Sequence, residues 1–315
     1  MFQNSSTSSS DLRGYLVALA CFCLLLVSSV AVFSAVSMRS GTMDLGFALL
    51  LKHQEDKLAS AQKIDTVFVG DSSLGNSIDA ALFSDLTQHP SINLALTGRF
   101  GYAGSTNMAL RAARDLGAKN IIIMQSVEIA SRPPGALGNA FTGDQRDRFS
   151  PGNIGSYIDF IISEVAFRAS IKGLSRKLRG KQRDQVIVDD YVAQTEPLSL
   201  QQAIKETSPL LTSAAAIQED AVLELKELAQ SCKVLSLNCI FVHGPLLEYR
   251  CVRWKPYIEA VAASVTQMEL TLANNGKPYC FPAEKLGDSG DHVAPQYKQE
   301  ATRLYANTLL SLLRN

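Results

Sequence analysis

The sequence of 315 residues has no excess of charge of either sign, because Lys and Arg together number 30 and Asp and Glu also number 30. Without a basic excess, nucleic acid is not expected as the main partner. Metal ligands are also scarce. The chain has four histidines, and its six cysteines form neither a C-x-x-C pair nor a close Cys/His cluster. Zinc is therefore not expected, and no other metal or cofactor is predicted.

Charge is also missing from a long stretch near the N-terminus. Tyr15 to Val36 contains no charged residue and is long enough to cross a bilayer core. We predict a transmembrane signal-anchor over residues 15–37, after a disordered cytoplasmic tail (1–14) and before a linker or stem helix (38–64). A cleaved signal peptide is the alternative, since Ala35 and Ser37 could form a small-residue cleavage site. In either case the main domain, residues 65–315, is expected outside the cytoplasm, and with the anchor retained it is held at the inner membrane.

The cysteines of the main domain fit an oxidising compartment. Cys232, Cys239, Cys251 and Cys280 are even in number and could form two disulfides in three possible pairings. Cys251 follows the predicted fourth strand, and Cys280 lies on the predicted fifth. We therefore predict the pair Cys251–Cys280 and, across a short helix-to-strand connection, the pair Cys232–Cys239. Four buried thiols are the alternative.

Hydrophobic patterning alternates between short apolar runs and amphipathic stretches, which predicts a parallel sheet with helical crossovers. The predicted fold is a flavodoxin-like three-layer α/β sandwich with a five-stranded parallel sheet. The region 131–209 breaks the alternation and is predicted to be a helical insertion. The predicted strands are Thr66–Val69, Ile92–Ala95, Asn120–Met124, Cys239–Val242 and Tyr279–Phe281, and the predicted helices are Ala80–Leu86, Ala103–Leu116, Ala214–Ser231, Pro256–Asn274 and Ala294–Leu313.

Two short motifs lie where α/β proteins place their chemistry. The first is V-F-V-G-D-S-S, in which Ser72 follows a buried strand and precedes a helix. The second is G-D-S-G-D-H, which ends at His292 just before the last helix. A serine nucleophile needs a base and an acid that orients the base. We predict Ser72 as nucleophile, His292 as base and Asp288 as the acid, with Asp291 as the alternative acid.

These residues resemble the motifs of the SGNH (GDSL-type) hydrolases, especially the membrane-anchored branch that O-acylates or deacylates cell-envelope polysaccharides. The resemblance begins near Asp65 and is carried by Gly70-Asp71-Ser72, by Gly98 after the second strand and by His292. It implies that the backbone N–H groups of Ser72 and Gly98 form an oxyanion hole. The family's third block supplies an Asn side chain to that hole. This chain has Gln125 in the corresponding region, and its side-chain amide is the candidate third donor.

Substrate contacts are less specific in the sequence. Asn93 lies in the second block, His243 ends the fourth predicted strand, and Trp254 could stack on a sugar ring, so all three are candidate substrate-binding residues. In the insertion, the apolar stretch Ile154 to Lys172 leads into a basic run, 176–183. That combination could bind an anionic membrane surface or glycan, or it could be a packed helix followed by a solvated loop.

The predicted function is serine-dependent acyl transfer to, or ester hydrolysis on, a cell-envelope polysaccharide. The expected partners are the membrane, the acylated polysaccharide and a membrane protein that donates the acyl group. The alternative is a catalytically inactive glycan-binding or scaffold protein of an envelope polysaccharide system. The absence of the block-three Asn and the unusual spacing of Asp288 from His292 favour that alternative.

Overall fold

The computed structural model of the protein describes residues 9–39, 46–132, 138, 187–188, 191–192 and 217–314. These residues fall into two units, of which the first is the single helix α1 (Ser9–Arg39). This helix contains the predicted anchor. Within the described ranges, no helix is found that is both long and apolar enough to cross a membrane. The membrane anchor therefore stays a prediction.

The second unit is built on a five-stranded sheet in which every pairing is parallel. Its order is β2-β1-β3-β6-β8, and this arrangement confirms the predicted five-stranded parallel α/β architecture. The strands are β1 (Thr66–Gly70), β2 (Ser91–Asn93), β3 (Asn120–Gln125), β6 (Asn238–His243) and β8 (Thr271–Leu272). Strands β1, β3 and β6 are buried along their whole length, as their β-branched and aromatic runs predict.

Helices cover both faces of this sheet. The remaining helices are α2 (Gly46–Ser60), α3 (Ser72–Ser77), α4 (Ala80–Thr87), α5 (Gly101–Leu116), α6 (Glu219–Val234), α7 (Glu248–Arg253), α8 (Lys255–Gln267) and α9 (Lys298–Leu309). On one face, Phe83 of α4 and Tyr305 of α9 pack against Phe68, Ile122 and Ile240 of the strands. Helices α5 and α6 pack against each other and against strands β1 and β6 respectively. The result is the predicted three-layer arrangement.

The predicted fifth strand is wrong. Cys280–Phe281 forms a strand, β9, but it pairs with β7 (Leu246–Leu247) in a separate two-stranded parallel sheet. The fifth strand of the main sheet is Thr271–Leu272, inside the stretch predicted as helix Pro256–Asn274. Helix α8 ends at Gln267, and Glu269 then adopts a left-handed backbone with φ 62°. Apolar spacing alone cannot separate so short a strand from a helix end.

The compact unit begins before the predicted boundary at residue 65. Helix α2, predicted as a linker or stem, buries Leu50 and Leu58. The Gln54 side chain donates a hydrogen bond of 2.8 Å to the carbonyl oxygen of Ala95, and Lys57 donates to that of Asn93. Helix α2 therefore packs along the β2 edge of the sheet as part of the α/β unit.

Most of the predicted insertion, residues 131–209, lies outside the described residues, and so do the stretch Ile154–Lys172 and the basic run 176–183. Two short antiparallel strands are described there, β4 (Ile187–Val188) and β5 (Tyr191–Val192). Strand β5 lies next to α3, the helix that begins at Ser72. The insertion thus returns to the edge of the sheet that carries the first sequence motif.

Candidate active site

Ser72 lies at the junction between β1 and α3. Gly70 ends the strand so close to β3 that a Cβ built on it would lie 1.7 Å from the carbonyl oxygen of Met124. Only glycine allows this approach. Asp71 then caps the helix, because its Oδ1 accepts hydrogen bonds from the Ser73 N–H at 2.9 Å and from the Ser73 hydroxyl at 2.6 Å. Asp71 and Ser73 are buried, whereas Ser72 is partly exposed.

The carboxyl ends of three strands meet around this junction. The second carboxylate oxygen of Asp71 accepts a hydrogen bond of 3.0 Å from the N–H of Ser126, directly after β3. Gly244 follows β6, and a Cβ on it would lie 2.3 Å from the Ser73 hydroxyl. The sequence therefore places Ser72 at the edge of the sheet where parallel α/β folds bind ligands.

The second motif forms a tight loop between Leu286 and Val293, which are paired in an antiparallel bridge. Gly287 donates a hydrogen bond of 2.6 Å from its N–H to the carbonyl oxygen of His292. The loop is also tied to strand β7, because the N–H of Leu247 donates to the carbonyl of Gly290 at 2.7 Å. A short, doubly anchored loop fixes the position of the His292 side chain.

Two carboxylates flank the His292 ring. Nδ1 of His292 lies 2.8 Å from Oδ1 of Asp288, which is hydrogen-bond distance. Nε2 lies 3.9 Å from Oδ1 of Asp291, and that carboxylate accepts a hydrogen bond of 2.5 Å from the Ser289 hydroxyl. When Nδ1 carries the proton and donates it to Asp288, Nε2 is left as the proton acceptor. This is the arrangement that a histidine base requires.

The electrostatics of His292 link the two motifs. Burial lowers the pKa of His292, but the carboxylates of Asp291, Asp288 and Asp71 together raise it above its usual value. The Asp71 carboxylate, which precedes Ser72 in the first motif, is thus one of the charges that raise the pKa of His292. Helix α9, which follows the His292 loop, packs on α3: the Thr302 hydroxyl donates to the carbonyl of Ser77 at 3.2 Å. The helices that follow the two motifs are therefore in contact.

The predicted oxyanion residues occupy different environments. Gly98 begins a 3₁₀ turn, Gly98–Phe100, and a Cβ on it would lie 4.0 Å from Oδ2 of Asp71. Gln125 is fully buried, and its amide nitrogen donates a hydrogen bond of 2.6 Å to the Ser105 hydroxyl on α5. Gly98 thus lies beside Asp71, whereas the Gln125 amide nitrogen is bound on the α5 side of the sheet.

The three candidate substrate-binding residues are all buried. Asn93 is inaccessible: its amide nitrogen donates to the carbonyl of Ile78, and its oxygen accepts from the N–H of Ala95, both at 3.0 Å. Trp254 is 3% exposed, and its ring packs against the Arg250 guanidinium, with 5.0 Å between Cζ of Arg250 and the ring centroid.

His243 is the third of these residues. It is 2% exposed and packs edge-on against Phe241 with the ring centroids 5.2 Å apart. Burial lowers the pKa of His243 to about 4, so its ring is neutral at physiological pH. The burial of these three side chains follows from how the strands and helices pack, which the local motifs do not indicate.

Arg132 is a further residue at this edge that the sequence motifs did not indicate. It follows the 3₁₀ turn Val127–Ser131 after β3. Its Nη1 atom lies 3.2 Å from the position that a Cβ on Gly98 would occupy. The only available sequence signal was its position shortly after the third family block. The sequence motifs also did not indicate a separate role for Asp71, although an Asp directly before a helix is a recognisable N-cap residue.

Both predicted disulfides are present. Cys232–Cys239 joins the end of α6 to β6, and Cys251–Cys280 joins α7 to β9, with Cα–Cα distances of 6.1 and 6.2 Å. The second bridge lies shortly before the His292 loop. In the part of the chain that the structure describes, no group of three or more His, Cys, Asp or Glu side chains could hold a metal ion.

Comparison with known proteins gives little. No protein-family model matches this chain. No curated protein matches it either. Among solved structures, the chain is similar to TesA, with 12% identity and a TM-score of 0.37 over 79% of this chain and 99% of the TesA chain. A likeness at this TM-score does not bear on function.

Proposed function

We propose that the protein is a serine-dependent acyl-transfer enzyme, either an esterase or an O-acyltransferase, with Ser72 as nucleophile. The observation that carries the proposal is the hydrogen bond of 2.8 Å between His292 and Asp288. It orients a mostly buried imidazole, and the helix that follows the His292 loop, α9, packs on α3, the helix that begins at Ser72. Nucleophile, base and orienting acid are the three parts of a serine acyl-transfer site.

The reaction proceeds in two steps at Ser72. Nε2 of His292 accepts the Ser72 proton while Oγ forms a bond to the ester carbonyl carbon, and the carbonyl electron pair moves onto oxygen. Collapse of this intermediate breaks the bond to the leaving alcohol, which takes the proton from His292. Water or a sugar hydroxyl then attacks the acyl-enzyme in the same way. The N–H groups of Ser72 and Gly98 are the proposed donors to the oxyanion.

The proposed substrate and location follow from the SGNH resemblance and the sequence. The substrate is an acylated cell-envelope polysaccharide, and the acyl donor for a transferase is a membrane protein partner. The uncharged run Tyr15–Val36 supports an anchor in the inner membrane. The two disulfides of the α/β unit support a periplasmic location for it, because disulfides persist in oxidising compartments.

A second candidate is an inactive scaffold or glycan-binding protein with the same fold. The inward-facing Gln125 favours it, because the family's third oxyanion donor is then missing. Glycan binding through Asn93, His243 and Trp254 is disfavoured, since all three are buried.

Ester turnover separates the two candidates. Purified full-length protein is given p-nitrophenyl acetate, and Ser72→Ala is compared with Ser264→Ala. Ser264 is a half-buried serine on α8 whose hydroxyl donates a hydrogen bond to the carbonyl of Ala260. The enzyme proposal predicts loss of at least about 10³-fold in kcat for Ser72→Ala and no change for the control. Equal turnover by the wild type and Ser72→Ala would overturn it. Adding an oligosaccharide acceptor then separates transfer from hydrolysis.

A further inference from the structure

Arg132 is a cationic side chain at the carboxyl edge of the sheet that the reaction scheme above does not use. It follows directly after the 3₁₀ turn Val127–Ser131, and its N–H donates a hydrogen bond of 3.1 Å to the carbonyl of Ile129. Its side chain is 48% exposed, so the guanidinium is accessible to a ligand from solvent. Its backbone is thus placed by the end of β3, the strand that carries the third family block.

The guanidinium lies beside the proposed oxyanion donor. A Cβ on Gly98 would lie 3.2 Å from Nη1 of Arg132 and 4.0 Å from Oδ2 of Asp71, the residue that precedes Ser72. The glycine thus lies between the cation and the segment that carries the nucleophile. A larger side chain at position 98 would press on the guanidinium, so the absence of a Cβ permits this approach.

Glu128 holds the other side of the same guanidinium. Nη2 of Arg132 is ion-paired with Oε1 of Glu128, whose side chain is only 14% exposed. The guanidinium is planar, so fixing one terminal nitrogen restricts the direction of the other. This pairing therefore restricts Nη1 to the side of the guanidinium that approaches Gly98.

The position matters because Gln125 is turned inward. Its amide nitrogen donates to Ser105 on α5, on the face of the sheet away from α4 and α9. Loss of one oxyanion donor typically costs about 10²–10³ in rate. A replacement donor near Gly98 would restore that contribution.

We propose that Arg132 is a catalytic residue that stabilises the oxyanion formed at Ser72, in the role that the block-three amide has in the resembling family. This inference rests on the proposed acyl-transfer function. As the Ser72 Oγ–carbon bond forms and the proton moves to His292, the carbonyl electron pair moves onto oxygen. That oxygen accepts hydrogen bonds from the N–H groups of Ser72 and Gly98 and from Nη1 of Arg132. When the oxyanion collapses, its electron pair re-forms the carbonyl double bond, and the guanidinium keeps all its protons.

Steady-state hydrolysis of p-nitrophenyl acetate by the full-length protein tests the assignment. Three variants are compared: Arg132→Gln, Arg132→Lys and the control Arg114→Gln. Arg114 is an exposed arginine at the far end of α5, paired with Asp115 at 3.0 Å. We expect Arg132→Gln to lower kcat about 100-fold with KM changed less than threefold, because the interaction forms only in the transition state. Arg132→Lys keeps the charge but not the planar fork, and should lose about 10-fold.

The outcomes separate this inference from the function on which it rests. If the kcat of Arg132→Gln lies within threefold of the kcat of Arg114→Gln, or if the substitution changes only KM, the role of Arg132 is overturned. Turnover that depends on Ser72 would in that case still support the enzyme proposal. Turnover that survives in Ser72→Ala overturns both. Circular dichroism checks folding, and if the Gln variant does not fold, the Lys variant decides: kcat within threefold of wild type rejects the assignment.

Discussion

At the scale of single residues, the carboxylates of Asp288 and Asp291 lie near different nitrogens of the His292 ring, and this difference assigns them different tasks. Asp288 reaches Nδ1 at hydrogen-bond distance, whereas Asp291 lies 3.9 Å from Nε2 and is engaged by Ser289. A group on Nδ1 sets the tautomer and direction of the ring. A group near Nε2 acts mainly through its charge, since that nitrogen must stay available for the serine proton.

Substituting each acid by its amide should separate these tasks. Asp288→Asn leaves the volume unchanged but removes the acceptor that holds the Nδ1 proton, so we expect kcat for p-nitrophenyl acetate to fall about 10²–10⁴-fold. Asp291→Asn is the matched control, and we expect it to lower kcat less than about 10-fold. The reverse order of the two losses would assign the orienting role to Asp291.

The pH dependence of activity should report the raised pKa of His292. As a base the ring must be neutral, so kcat/KM should fall as the pH drops through a value above 6.5, the usual histidine pKa. Asp291→Asn removes a negative charge and lowers the pKa of His292, so the acid limb should move to lower pH. A profile with its acid limb below pH 6, unchanged by this substitution, would contradict the electrostatic description.

The site residues that could be predicted from the sequence are those next to strand ends. Ser72 and His292 stood in short motifs whose neighbours indicate a turn, and the hydrogen bond expected for Asp288 is present. The burial of Asn93 and Trp254 could not be predicted, because it follows from how the strands and helices pack: Asn93, for example, donates a hydrogen bond to Ile78, 15 residues away in sequence. The approach of Arg132 to Gly98 is likewise a contact between residues distant in sequence, and no local sequence pattern predicts it.

At the scale of elements, hydrophobic patterning predicted the long buried strands β1, β3 and β6 but not the two-residue strand β8. The run Asn120–Gln125 is apolar over almost its whole length and forms the central strand β3. Thr271–Leu272 is only two residues long and could not be told from the end of a helix. The packing of α2 was also missed, because its hydrogen bonds from Gln54 and Lys57 go to the chain after β2 rather than to near neighbours.

The two disulfides should stabilise the fold unequally. Cys251–Cys280 spans 29 residues and Cys232–Cys239 spans 7, so loop-closure entropy favours the first, by about 3.6 against about 2.4 kcal/mol. We expect the double variant Cys251→Ser/Cys280→Ser to lower the free energy of unfolding about 1 kcal/mol more than Cys232→Ser/Cys239→Ser. Urea unfolding of the purified proteins measures both. Equal losses would show that local packing outweighs chain entropy.

At the scale of the whole molecule, we propose that the α/β unit lies outside the cytoplasm and that the N-terminal segment anchors it. Protease added to intact spheroplasts should therefore digest this unit and leave an epitope tag on the Ser-rich tail protected. Cleavage of the tag before the domain would reverse the orientation. Recovery of a mature form that starts near Met38 would support the signal-peptide alternative instead.

The most direct test of the central claim is covalent labelling of Ser72 by a fluorophosphonate. The reagent traps only a serine that an adjacent base activates, so it reports on Ser72 and His292 together without a known substrate. Intact mass measurement and peptide mapping of the labelled wild type should show one adduct, on Ser72, and His292→Gln should slow its formation at least about 100-fold. An adduct on another residue, no adduct, or labelling at the same rate in His292→Gln would contradict the account.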